Sequence, residues 1–210
     1  MPTTPIYALR YPASSDPPDV PTDMNRLATD VEAALGAPVK SYGISLPASP
    51  MNGQEAILVD STTNPTYQWR FRYNTGSSSA YKWEYVGGTV VLLAVPDYTT
   101  TATGAWEAPT GAGRVFAVPR AGDYSIDATS AVGGTSGTST EVFAIIVNGV
   151  TPPPQQCNVY VTAGASVVAL MRRIALAVPA GQNISLGYYA VNFTALFGSQ
   201  FLAVTPKRVS

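Results

Sequence analysis

Acid–base and nucleophilic chemistry would have to run on carboxylates in this chain, because it holds no histidine and a single cysteine. A Ser, Thr or Cys nucleophile needs a neighbouring base to take its proton, and the commonest base is missing. Paired carboxylates are the remaining route, as in glycoside hydrolysis. Beyond residue 89 the acids are sparse: Asp97, Glu107, Asp123, Asp127 and Glu141. Asp123 and Asp127 lie on one expected strand and share a face by parity. A solvated strand face accounts for them without catalysis, so the chain is expected not to be an enzyme. No segment gathers Asp, Glu and Asn as a calcium loop would, and no cofactor is implied. Cys157 follows Pro152-Pro-Pro-Gln-Gln156 in an expected loop and reads as an inert thiol without an intrachain partner.

Aromatic residues offer a different chemistry. Tyr67, Trp69, Phe71 and Tyr73 alternate with Gln68, Arg70 and Arg72, and Tyr81, Trp83 and Tyr85 follow after a turn at Gly76. The pattern predicts a hairpin with one aromatic face. That face is either a small core or a platform on which sugar rings stack, with Trp69, Trp83 and Tyr85 as the glycan contacts. Arg172-Arg173 and Lys207-Arg208 are the notable basic pairs, suited to surface or inter-subunit ion pairs. Net charge is -1 with no basic block, so binding to nucleic-acid phosphates is not expected. No apolar run reaches the roughly 20 residues that span a bilayer, and Met1-Pro-Thr-Thr-Pro5 has no secretory-signal character. The sequons at Asn183 and Asn192 fall in or beside expected strands and read as chance matches.

Several elements must position these residues. Pro12, Pro17, Pro18 and Pro21 exclude a helix before residue 21, so an extended arm is expected, ordered by docking through Ile6, Tyr7, Leu9 and Tyr11. Thr22 to Leu35 reads as the one good helix, with Asp23 in its first turn and Gly36 stopping it before Pro38. Met24, Leu27, Val31 and Leu35 share a face, while Arg26, Asp30 and Glu32 are expected to point away. That face either packs on its own chain or forms a short parallel coiled coil between copies. Val39 to Pro50 reads as a linker. Gln54 to Val86 forms a small β neck unit, ended by Gly87-Gly88.

From Thr89 onward, short runs between Gly/Pro turns predict strands near 90–94, 104–108, 114–118, 122–131, 140–147, 158–161, 166–178, 183–189 and 200–204. The spacing indicates a mainly β sandwich or jelly roll. Gly133-Gly-Thr-Ser-Gly-Thr138 reads as a flexible loop, not a phosphate loop. The organisation is therefore an arm and helix over 1–40, a neck over 41–88 and a large β domain over 89–210. Hydrophobic residues make up 46% of the chain and charged residues 12%, which permits a buried core and leaves neutral surface suited to subunit contacts.

Phe116, Pro119, Gly122 and Tyr124, then Val147-Asn-Gly149, then Leu176, Gly181 and Leu186, then Phe197-Gly198 with Phe201-Leu202, succeed one another in order. This set resembles the C1q/TNF-like jelly roll over roughly the last 120 residues, a domain-sized span. The resemblance implies a homotrimer, a long inner strand entered through Phe116 to Tyr124, and a closing strand beside the first. Phe197-Gly198 departs from the family's Phe-x-Gly spacing. Tyr11-Pro-Ala-Ser-Ser-Asp-Pro17 with Leu27-Ala-Thr-Asp-Val-Glu-Ala-Ala-Leu35 resembles the opening of tailed-bacteriophage virion proteins, especially those of actinobacterial hosts. Asn52-Gly-Gln-Glu-Ala-Ile-Leu-Val-Asp60, Trp69-Arg-Phe-Arg-Tyr-Asn74 and Tyr81-Lys-Trp-Glu-Tyr-Val-Gly-Gly88 are similar to a small module of such appendages. The implied protein is a trimeric fibre or spike of the virion. Its arm would bind other virion proteins, and its jelly-roll tip would meet a host-surface glycan without inserting in the membrane. A capsid decoration or head fibre is the alternative.

Overall fold

Caps, turns and alternation account for most elements of the computed structural model, which describes residues 3, 10–13, 15–35, 41–101, 103–134, 138–147, 149, 156–162 and 165–210. The protein is mainly β, with one helix among the described residues. It divides into two units, Met1–Thr75 and Gly76–Ser210.

In the first unit the helix α1 spans Val20–Leu35. It starts two residues earlier than its apolar pattern predicts, because Asp19 caps it. The Asp19 carboxylate accepts the Thr22 N–H at 3.2 Å, satisfying an amide that has no partner within the helix. The arm before it is not simply extended. Asp16 N–H donates to the Ala13 carbonyl at 2.9 Å and Ala13 N–H to the Asp16 carboxylate at 2.8 Å, closing a turn. Asp30 does not point away to solvent as its helix position suggested: it is engaged by Arg10 of the arm.

The expected linker carries a strand. β1 (Ser41–Gly43) runs parallel to β2 (Glu55–Val59), which pairs antiparallel with β3 (Gln68–Tyr73). Alternation places Ala56, Leu58, Trp69 and Phe71 in buried positions, with Gln68, Arg70 and Arg72 exposed. Asp60 closes the β2–β3 connection by accepting Thr66 N–H at 2.8 Å and its hydroxyl at 2.5 Å.

In the second unit, β4 (Trp83–Gly88), β5 (Val91–Val95) and β6 (Tyr98–Thr99) all pair with the last strand. Gly87-Gly88 therefore ends no unit; both residues continue β4, and the unit boundary falls after Thr75. β7 (Trp106–Glu107) and β8 (Val115–Ala117) are short. Then come β9 (Gly122–Gly134), β10 (Thr138–Val147), β11 (Gln156–Thr162), β12 (Ser166–Val178), β13 (Asn183–Ala190) and β14 (Ala195–Val209). Within this unit, one sheet runs β14-β9-β12, with β4, β5 and β6 along β14. The other runs β11-β10-β13, with β7 and β8 on β13. Gly133 and Gly134, expected in a loop, belong to β9, because β14 and β12 continue their ladders that far. Residues 135–137 of that loop lie outside the described residues.

Cross-sheet contacts make the sandwich. Tyr188 of β13 lies 4.7 Å, ring to ring, from Phe197 of β14, and its hydroxyl meets the Gln200 side chain at 2.5 Å. Burial holds the Tyr188 hydroxyl well above its ordinary pKa. Arg173 of β12 donates to the Ile145 carbonyl of β10 at 2.6 Å. Tyr124, Ile126, Ala128 and Val132 of β9 fill the space between the sheets, while the intervening residues face outward. β14 reaches far beyond the predicted 200–204. Bulges after Gly198 and Pro206 let one strand serve β6, β5 and β4 in turn.

Candidate functional site

β12 places the side chains that matter most. Its inward residues Ala169, Ala175 and Val178 are buried, as a sandwich strand requires. Its outward residues are apolar as well: Val168 is 66% exposed, Leu170 72%, Ile174 51% and Leu176 71%. β12 pairs with β9 on one side, and among the described residues it has no ladder partner on the other. A long apolar edge strand of this kind is a template for association unless something covers it.

Register extends the field across the sheet. Leu170 pairs with Thr129 of β9, which pairs with Phe201 of β14, which pairs with Ala94 of β5. The next outward row is Arg172, Asp127, Ala203 and Leu92. Leu92 and Phe201 are exposed. Arg172 Nε lies 2.5 Å from Asp127 Oδ1, and this hydrogen bond and charge raise the guanidinium pKa. The face is thus apolar around one internally neutralised ion pair. At one end Ile174 and Leu176 border an open pocket that Glu84, Tyr85, Lys207 and Arg208 also line, so the apolar field is flanked there by charged side chains of both signs. What it can do is exclude water against another protein surface.

The predicted carboxylate pair is taken up by structure. Asp127 holds Arg172, and buried Asp123 accepts the N–H of Ala177 at 3.0 Å. That bond braces the bulge between Ala175 and Val178, where Ala177 adopts φ 52°. Of the basic pairs, Arg173 turns inward and Arg208 lies 3.8 Å from Glu84. Among the described residues no three His, Cys, Asp or Glu side chains gather as a metal-ligand group. No described helix is long and apolar enough to cross a membrane.

The predicted glycan platform does not survive the packing. Trp69 is fully buried, stacked on Tyr67 at 4.1 Å and edge-on to Phe71 at 6.5 Å, in the first unit. Trp83, in the second unit, is also buried, because its strand pairs with the end of β14. Tyr85 is half-buried and donates its hydroxyl to the Gly88 carbonyl at 2.9 Å. The two tryptophan rings, enclosed in this way, offer no face to a sugar, while Tyr85 lines an open pocket with Glu84, Lys207 and Arg208.

Of the arm's docking residues, Ile6, Tyr7 and Leu9 lie outside the described residues, and Tyr11 is exposed. Met24 and Leu27 are exposed on α1, Val31 is half-buried, and the Leu35 side chain lies outside the described ones. The outward apolar residues of β12 were missed as a site. The signal was present: Ser166 to Val178 is apolar at both parities, which an open sandwich strand does not need.

No protein-family model matches the chain, and no curated protein does. Among solved structures, the structure of infectious bursal disease virus Gx strain aligns with a TM-score of 0.37 and 11% identity, over 79% of this chain and 45% of that one. The chain thus spans less than half of that neighbour's length, and a likeness of this size carries no argument about fold or function.

Proposed function

We propose that the chain is a structural subunit of a tailed-bacteriophage virion appendage, a homotrimer whose sandwich forms the outward tip. The observation that carries the proposal is the outer face of the β5-β14-β9-β12 sheet. Leu92, Phe201, Val168, Leu170, Ile174 and Leu176 lie open on it, and monomeric proteins rarely leave such a field to water. Two strand relationships support the C1q/TNF-like reading. Phe116 to Tyr124 leads into β9, which lies between β14 and β12, and β14 closes beside β5. A threefold ring closes when one part of this face on each copy meets a different part of the next copy's. The N-terminal sequences that resemble phage virion proteins assign the arm to attachment, and the loops of the sandwich to the host surface.

Sedimentation tests the assembly. The purified protein is expected to run as a trimer at micromolar concentration. Leu170→Asp places a charge in the apolar field and is expected to yield a monomer that keeps its β circular-dichroism signal. Thr62→Asp, on an exposed turn of the first unit, is expected to leave the trimer intact. A wild-type monomer, or a Leu170→Asp trimer, removes this reading. Electron microscopy of labelled virions separates a tail appendage from a capsid decoration or head fibre.

A further inference from the structure

The helix α1 carries a second apolar surface, in the first unit. Val20, Met24, Leu27 and Val31 follow at steps of four, three and four, the spacing of a two-heptad seam. Val20 is 69% exposed, Met24 61% and Leu27 38%, so the described residues leave this stripe largely open. Beside it lies a groove lined by Tyr11, Pro12, Val20, Met24 and Leu27, with Arg10 and Asp23 at its charged margin.

The flank of the stripe explains what can enter the groove. Asp23 and Asp30 stand seven residues apart, each immediately before a seam residue, Met24 and Val31. In a parallel bundle these positions border the neighbouring helix. Bare carboxylates there would repel one another around the axis. Each has a cation from its own chain instead. Arg10 grips Asp30 with its backbone N–H at 2.8 Å, Nε at 2.8 Å and Nη2 at 2.7 Å. Arg26 lies 3.9 Å from Asp23. The same Arg10 grip ties to the helix the segment whose next residues, Tyr11 and Pro12, line the groove. The surface is therefore apolar in the middle and neutral at its border, which makes it complementary to a copy of itself.

We infer that the groove between arm and helix seats the α1 stripe of a second copy of this chain, in a parallel three-helix seam that the Arg10–Asp30 pair makes possible. The inference rests on the trimer proposed above. Two heptads are marginal alone, but copies already joined through their sandwiches hold their helices at high effective concentration.

Cysteine cross-linking of the full chain tests this, with Cys157→Ala (or Cys157→Ser where that does not fold) removing the native thiol. Met24→Cys is expected to give oxidised covalent dimers about tenfold faster than Thr29→Cys on the opposite face, as the tethered helices predict. Adding Arg10→Glu is expected to slow that cross-link several-fold, and adding Asp30→Arg as well to restore it. A protein that sediments as a trimer yet cross-links no faster at Met24→Cys than at Thr29→Cys overturns the seam and leaves the sandwich trimer standing. Cross-linking unmoved by Arg10→Glu overturns the role of the ion pair. A monomer in sedimentation overturns the trimer itself, and the seam with it.

Discussion

Tyr124 packs its ring between the sheets with no exposure and donates its hydroxyl to the Arg120 carbonyl at 2.6 Å. Two substitutions separate these contributions. Tyr124→Ala empties the ring's volume from a packed core and is expected to cost about 3–5 kcal/mol. Tyr124→Phe keeps the ring and loses one hydrogen bond, a change of about 1 kcal/mol. Urea unfolding of both variants checks the ratio, and an unchanged Tyr124→Ala midpoint would remove the packing argument. Gly122, two residues earlier, answers to a different constraint. A Cβ there would meet the Arg208 carbonyl oxygen well inside contact distance and Val209 Cα and Cγ1 at 3.0 Å. β14 is its ladder partner, bulged at this point, and a backbone oxygen cannot swing aside as a flexible side chain can. Gly122→Ala is therefore expected to cost about 1–3 kcal/mol by overpacking, seen as a lower urea midpoint at unchanged slope. Gly122 pairs with Val209 of the neighbouring β14, and the bulge after Pro206 brings the Arg208 carbonyl into the place a Cβ would take, which is the physical reason that position takes no side chain.

At the scale of elements, the arm and α1 show how a local pattern can be right while its partner is hidden. The stripe Met24, Leu27, Val31 was legible from spacing alone, and so was Asp23 in the first turn. The partner of Asp30 was not, because Arg10 sits twenty residues away beyond four prolines, and no periodicity links them. Arg10 holds the Asp30 carboxyl down at about 2, mainly by direct hydrogen bonding. The folded pKa lies below the unfolded one, so the latch is fully present above about pH 4. It is lost as pH falls through about 2. The Arg10 amide resonance is expected to titrate with that midpoint and to stay constant from pH 5 upward; a midpoint near 4 would mean that the pair is open in solution. The strands divide in the same way. Ser166 to Val178 reads off at its true limits because Pro179 and Gly181 punctuate it. β14 was foreseen only at 200–204, because Gly198, Ser199 and Pro206 look like strand breakers. In the folded chain Gly198 and Pro206 fall at bulges that re-aim one strand toward three neighbours. Trp83 was placed in a neck hairpin for a related reason: alternation reports the strand, while its pairing with Val209 is set by residues more than a hundred positions downstream.

For the whole molecule, attachment and assembly are assigned to different parts, and a truncation separates them. Tyr124, Ile126, Phe143, Tyr188 and Phe197 are all buried within Gly76–Ser210. The outer apolar face on β12 and β14 belongs to the same unit, so the association proposed for it does not call on the arm. Deleting residues 2 to 35 removes both partners of the Arg10–Asp30 pair together and leaves no orphaned charge behind. It also removes the exposed residues Tyr11, Val20, Met24 and Leu27, which have no use in an isolated chain. The truncated protein is expected to remain soluble, to show a β circular-dichroism spectrum, and to sediment as a trimer held by its sandwiches. Its trimer is expected to dissociate at a higher protein concentration than the full chain's, since the helix seam is gone. It is also expected to fail to incorporate into virions in a particle-loading assay run beside the full chain. Loading at the full chain's level would place attachment on the β1–β3 sheet or on the sandwich, and the arm would then face outward, toward the host.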